Sequence, residues 1–123
     1  MNTFIKTSGT IKLSDIRKLL WENIYSDFFN MNSLINHIRS SFIPNTVDAD
    51  FDFTNMTITL KSKGRPFDEK EDRKNLTGAY RKFVKDMYAK GIINNYAYNL
   101  CTPMIEHLFF VTFIDRHTMN IHL

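Results

Sequence analysis

Asp48, Asp50 and Asp52 occupy every second position of the run Val-Asp-Ala-Asp-Phe-Asp-Phe. In an extended chain alternate residues leave the same face about 6.6–6.8 Å apart, so the three carboxylates form a ladder. Carboxylate oxygens hold hard divalent cations, and a pair of such ions can clamp the attacking and leaving oxygens of a phosphodiester. The ladder, with Lys61 opposite Asp48, is therefore one candidate catalytic set, that of a metal-dependent nuclease. Such a hairpin needs a further acid near Lys61, and the sequence offers Thr59 and Leu60 there. The simpler expectation is a solvated strand face whose charges deter edge pairing, with no metal and no cofactor.

A second set is cationic. Lys70, Lys74, Arg81 and Lys85 recur at offsets 0, 4, 11 and 15, with Gly78 between them and Lys82 adjacent. At about 100° per residue they share one helix face, and Lys90 falls off it. Lys61, Lys63 and Arg65 lie just upstream. Phosphate neutralisation needs clustered Lys and Arg in no fixed order, so these residues are the candidate anion or nucleic-acid site. Tyr88, Tyr96 and Tyr98 are candidates for base stacking. The plainer expectation is a solubilising helix face with half-buried tyrosines.

The remaining chemistry-bearing residues form no set. His37, His107, His117 and His122 include no pair at the spacing a helix-borne metal site uses, and we expect structural roles for all four. Cys101 stands alone, so neither a disulfide framework nor a Cys-rich zinc site can form. A buried, reduced thiol is the expectation. Gly9, Gly64, Gly78 and Gly91 are too scattered to cradle a phosphate, and no Gly-x-Ser-x-Gly elbow occurs.

The elements that would position these residues follow from periodicity. Val47, Ala49, Phe51 and Phe53 alternate with acids, and Met56, Ile58 and Leu60 alternate with Thr and Lys. That is a hairpin with one face buried. A two-residue Thr54-Asn55 loop pairs Phe53 with Met56 and Phe51 with Ile58, although a longer loop also fits. Asp68 opens the longest helix with an acidic first turn, and Lys90-Gly91 closes it, the charge order that the helix dipole favours. Leu76, Tyr80, Phe83, Val84 and Met87 are its apolar stripe.

Ahead of the hairpin, Ser14 reads as an N-cap, followed by Ile16, Leu19, Leu20, Ile24 and Phe28 at helical spacing. Ser33 to Phe42 reads as another helix, stopped by Pro44. Thr3 to Lys6 and Thr10 to Leu13 are short β-prone pieces. Ile92 to Leu100 is ambiguous. Leu108 to Asp115 and Thr118 to Leu123 read as a final hairpin, with His117 in its turn and His122 facing Val111.

The expected fold is one α+β domain over residues 1–123. It has two layers: an antiparallel sheet from hairpins at about 47–62 and 107–123, packed against helices at about 14–29, 33–42 and 68–90. The composition supports a core: 43% of residues are hydrophobic, 11 of them Phe, with few Gly and Pro. Net charge is +3, unevenly placed, at −1 over residues 1–60 and +4 over residues 61–123. No apolar run approaches the roughly 20 residues of a membrane helix and no leader is visible, so we expect a cytoplasmic protein that does not contact membranes.

Leu108-Phe109-Phe110-Val111 is apolar on both strand faces, which predicts a strand covered on both sides. Phe109, Phe110 and Phe113 are therefore the candidate protein interface, covered by the N-terminal segment or by another subunit. The bias toward Phe, Ile, Asn, Lys and Tyr fits an AT-rich genome. The helix–hairpin–helix–hairpin order is similar to that of small phage tail-end and connector proteins, in element order alone. The expected function is a non-enzymatic binding or assembly protein, a small phage- or virus-type structural component working through protein–protein contacts. It would act in the host cytoplasm or an assembled particle, with a protein partner or a second copy of itself. A basic nucleic-acid-binding regulator or inhibitor is the alternative, and a metal-dependent nuclease the second.

Overall fold

Four apolar alternations assemble into one sheet. The computed structural model describes residues 13–123. β1 (Val47–Asp52) and β2 (Thr57–Ser62) form the first hairpin, and β3 (Phe110–Asp115) and β4 (Thr118–His122) the second. All neighbours are antiparallel, in the order β1-β2-β4-β3, so the strands of the second hairpin continue the first and leave β1 and β3 at the edges.

The first hairpin has the register that its alternation demands: Ala49 pairs with Leu60 and Phe51 with Ile58. Its loop is longer than two residues. Phe53 to Met56 form the turn, with Met56 in the left-handed region at φ 49°. Asp52 stabilises that turn by accepting from the amides of Thr54 (2.9 Å) and Asn55 (3.2 Å) and from Asn55 Nδ2 (2.8 Å), the local competition by which Asp ends a strand. In the second hairpin the register slips between Phe113 and Asp115. The bulge moves every upstream partner by one place. His122 thus faces Phe110 rather than Val111, and Val111 faces Ile121.

The inner sheet face presents Ile58, Leu60, Met119 and Ile121, all buried. The helices cover it: α1 (Leu13–Leu20), which runs into a wider π turn (Trp21–Tyr25), α2 (Phe28–Ser40), α3 (Glu69–Ala89) and α4 (Asn95–Cys101), followed by a 3₁₀ segment (Thr102–His107). The α+β two-layer architecture is thus as the periodicity implies.

Three boundaries differ from expectation. Leu13 already belongs to α1, so Ser14 lies inside the helix and is not its cap. The break expected near Phe29–Ser33 falls at Ser26–Asp27 instead. Asp27 is an N-cap, accepting from the amides of Phe29 (2.8 Å) and Asn30 (3.2 Å), and a good cap outweighs the apolar spacing that carried the first helix on to Phe28. α2 ends at Ser40, two residues before Phe42. The β-prone pieces Thr3–Lys6 and Thr10–Leu13 lie outside the described residues except for Leu13, which is helical and not extended.

The start of α3 is fixed by a buried acid. Asp72 is fully buried and accepts from Arg65 through both oxygens (2.8 and 3.1 Å), from the Asp68 amide (2.7 Å) and from Asn75 Nδ2 (3.0 Å). Burial raises its pKa, and the Arg65, Asp68 and Asn75 hydrogen bonds more than offset this, holding the carboxyl below its usual range. The connector before α3 is tied to the β3–β4 turn by Phe67 N donating to Arg116 O (2.7 Å). This network sets where α3 lies relative to β3.

Candidate functional site

The carboxylate ladder keeps its predicted register, with Asp48 opposite Lys61, Asp50 opposite Thr59 and Asp52 opposite Thr57. All three acids are exposed. Asp48 pairs with Lys63 Nζ at 3.3 Å. Asp52 is occupied by the turn, and the Asn55 hydrogen bonds hold its carboxyl below the usual range. Among the described residues no group of three or more His, Cys, Asp or Glu side chains converges as a metal site. The neighbouring outer-face positions are filled by Thr59 donating to Asn120 Oδ1 (2.9 Å), a neutral pair.

The cationic residues divide. Arg65 is committed to Asp72 and so belongs to the scaffold. Lys63 belongs to Asp48, and Lys61 extends from the outer sheet face. Lys70, Lys74, Arg81, Lys82 and Lys85 are exposed along α3. Of these, Lys74 and Arg81 border a groove of about 440 Å³ between α3 and the edge of β3. Arg73, Thr77 and Gly78 complete its helical wall; Phe109, Val111 and Glu106 form the opposite side. Its size is in the range of small-ligand sites, about 300–1,000 Å³.

Local sequence explains the groove. Arg73, Thr77 and Arg81 are spaced by one turn and line up along α3, while Leu76, Tyr80 and Phe83 beside them enter the core. A Cβ on Gly78 would meet nothing within 4 Å, so its missing side chain widens the groove and does not serve close packing. The Arg73 guanidinium lies 5.4 Å from the centre of the Phe113 ring, and Arg81 Nη1 reaches Thr102 O at 3.5 Å. Both cations are thus steered by neighbours while remaining exposed.

The three phenylalanines of the candidate interface have different fates. Phe109 is 6% exposed and stacks on Tyr80 at 5.1 Å, so it is a core residue. Phe113 is half-buried beneath Arg73. Phe110 is 58% exposed, with Ile114 at 55% on the same edge strand. The expected burial on both faces is therefore corrected: Leu108 and Phe109 precede the strand and turn into the core, and the outer face at Phe110 is open. Arg17 covers the Phe110 ring at 5.1 Å and donates from Nη2 to Leu123 O at 2.6 Å.

A second apolar surface lies at the start of α2. Phe28 and Phe29 are 65% and 81% exposed and meet edge to face. Phe28, Met31, Ile35, Phe51 and Phe53 border a smaller groove of about 180 Å³ beside β1.

Several of the other candidates engage neighbours. Tyr88 stacks on Tyr98 at 4.5 Å and donates to Asn95 Oδ1. His122 Nε2 meets Thr112 Oγ1 at 3.1 Å, and His37 lies 3.9 Å from Asp86. Cys101 is buried, and burial pushes its thiol up to about 11, so the thiol form is favoured at neutral pH.

Sequence reasoning found Lys74 and Arg81 but missed Arg73, Thr77, Glu106 and Val111, because the groove exists only when β3 is laid beside α3. The one local signal was Gly78 inside a basic helix face. No helix of the described residues is long and apolar enough to cross a membrane. No known family, characterised protein or solved structure matches this chain, so its function is argued from the groove and the strand edge alone.

Proposed function

We propose that this chain is a non-enzymatic binding protein that takes a protein partner along the edge of β3, as a component of a larger complex. The observation that carries this reading is the edge itself. Among the described residues β3 has a ladder partner on one side only, β4, and it exposes Phe110 and Ile114. Its outer side chains are apolar or neutral from Phe110 to Ile114, with a single acid, Asp115, at its end, and an edge strand of that kind is a template for another chain. The exposed Phe28–Phe29 pair adds a second surface of the kind that contacts proteins. The phage- or virus-type source rests on the composition and element order described above.

Light scattering on the eluting 123-residue protein tests the reading. A defined oligomer that dissociates on Phe110→Lys with Ile114→Lys supports it, as does a stable complex with a partner that the same pair of changes abolishes. A strict monomer whose partner binding ignores both changes overturns it.

A nucleic-acid-binding regulator is the second reading, favoured by the cations on the groove wall. It expects binding that weakens steeply with salt, with a log–log slope reduced by about one for each phosphate-contacting cation removed.

A further inference from the structure

The open edge of β3 and the basic wall of α3 border the same groove, and together they specify an occupant. We infer that the β3–α3 groove receives an extended acidic segment of a partner protein as an added strand, with carboxylates at positions i and i+4 and an uncharged residue at i+2. The inference rests on the protein-binding reading above and names the chemistry of its partner.

The geometry is set by two rises. From Arg73 to Arg81 a helix advances about 12 Å. In a strand, residues i and i+4 project from the same face about 13 Å apart. Arg73 lies over Phe113, Gly78 shares the groove with Val111, and Arg81 reaches Thr102 ahead of the strand, so α3 follows this stretch of chain backwards, and a strand laid along β3 brings one side chain to Arg73 and Lys74 and another toward Arg81. The residue between them faces Gly78 and Val111, where the wall carries no charge and a Cβ would find open space. Lys70 lies one turn before Lys74 and Lys85 one turn after Arg81, so the positive field continues past both ends of the groove.

Charge selects among occupants. The groove holds three cations against one acid, Glu106, which is within 3.7 Å of His107. Residues 1–12 of this chain carry Lys6 and Lys12 and no acid, so they are a poor match for it. Base stacking adds little here, because Phe109 is buried and Phe113 is capped by Arg73, leaving no open ring among the described residues of the groove. A strand, by contrast, uses the free backbone groups of β3. Among the described residues these form no backbone hydrogen bond outside the ladder with β4.

The test is fluorescence anisotropy with labelled, end-blocked peptides and the 123-residue protein. The probe has the core Glu-Thr-Val-Thr-Glu. Its controls are the Lys-Thr-Val-Thr-Lys counterpart, the probe methylated at alternate amides, a peptide of residues 1–12 and a single-stranded oligonucleotide of similar charge. We expect the acidic probe to bind best, and binding to fall roughly tenfold or more on Arg81→Glu, the scale of a close charge reversal. Gly78→Leu should abolish binding by filling the groove while the helix stays folded, as circular dichroism would show. Methylation of the outward amides should also abolish binding.

Preference for the lysine peptide or for residues 1–12 would overturn the acidic occupant and leave the protein-binding reading standing. Unchanged binding of the methylated probe would overturn strand addition. Binding of the oligonucleotide alone, lost on Arg81→Glu, would overturn this inference and the protein-binding reading together. No binding by any probe would overturn the inference, while light scattering decides the broader reading independently.

Discussion

The two edge strands have equal lengths and opposite characters. β1 turns Asp48, Asp50 and Asp52 to solvent, and α2 packs beside it. β3 turns Phe110, Thr112 and Ile114 outward and carries a basic groove along its flank. Charges on an edge keep other strands away, and their absence invites them. Among the described residues the sheet thus lines one border with acids and leaves the other unpaired. The acids that look most like chemistry in the sequence therefore read as a guard, and the contact surface is sought at the opposite edge.

The comparison depends first on α3 standing where it does. Asp72→Ala would leave Arg65, the Asp68 amide and Asn75 without their acceptor. Removing a buried acceptor of charge-assisted bonds costs about 3 kcal/mol, which urea titration would register as a lower midpoint. Binding at β3 should weaken with it, and an unchanged midpoint would detach the groove from this network.

Acid should act through the same residue. Asp72 has a depressed folded pKa, so its contribution is present above the unfolded value of about 3.9 and is lost as pH falls through the folded value. Thermal midpoints should fall below about pH 4. Asp72→Asn should start lower and show a shallower acid limb, and a parallel limb would assign acid sensitivity elsewhere.

Gly78→Ala sharpens the comparison from the other direction. Alanine in a helix interior is favoured over glycine by about 0.5–1 kcal/mol, and here its Cβ meets no neighbour within 4 Å. The melting temperature should rise; a fall would mean that the groove is tighter than described.

The smallest effect is expected at β1. Asp50→Ser should change stability by less than about 0.5 kcal/mol, as exposed surface changes do, and leave β3 binding intact. Its cost should appear as self-association at high concentration, measured by light scattering. A melting temperature that responds to Mg²⁺ or Mn²⁺ in the parent and not in this variant would restore the ladder as a metal site.

The hairpins and the long helix were legible because alternation and 3.6-residue periodicity are local, and Asp68 and Gly91 mark ends that side chains alone determine. The break at Asp27 was not, since Ile24 and Phe28 continue the apolar spacing across it and only cap geometry reveals it. Neither was the single-residue slip near Ile114, because a bulge costs no change in composition. The candidate site was half visible. Lys74 and Arg81 share a stripe with Gly78, but Arg73 falls outside that spacing, and the groove joins residues about 30 positions apart. Phe109 misled for a related reason: four apolar residues in a row show no period, and the chain path decides which turn inward.

Cys101 has a consequence of its own. It is the only thiol in the chain, it is buried within α4 close to the 3₁₀ segment that leads to β3, and its pKa is raised. An alkylating reagent can reach it only when that corner opens. The rate of adduct formation is therefore a clock that ticks once per opening, read by mass on an unmodified protein. If a guest strand seats on β3 and holds Phe109 against Tyr80, the clock should slow in its presence, giving occupancy a covalent record that outlasts the complex.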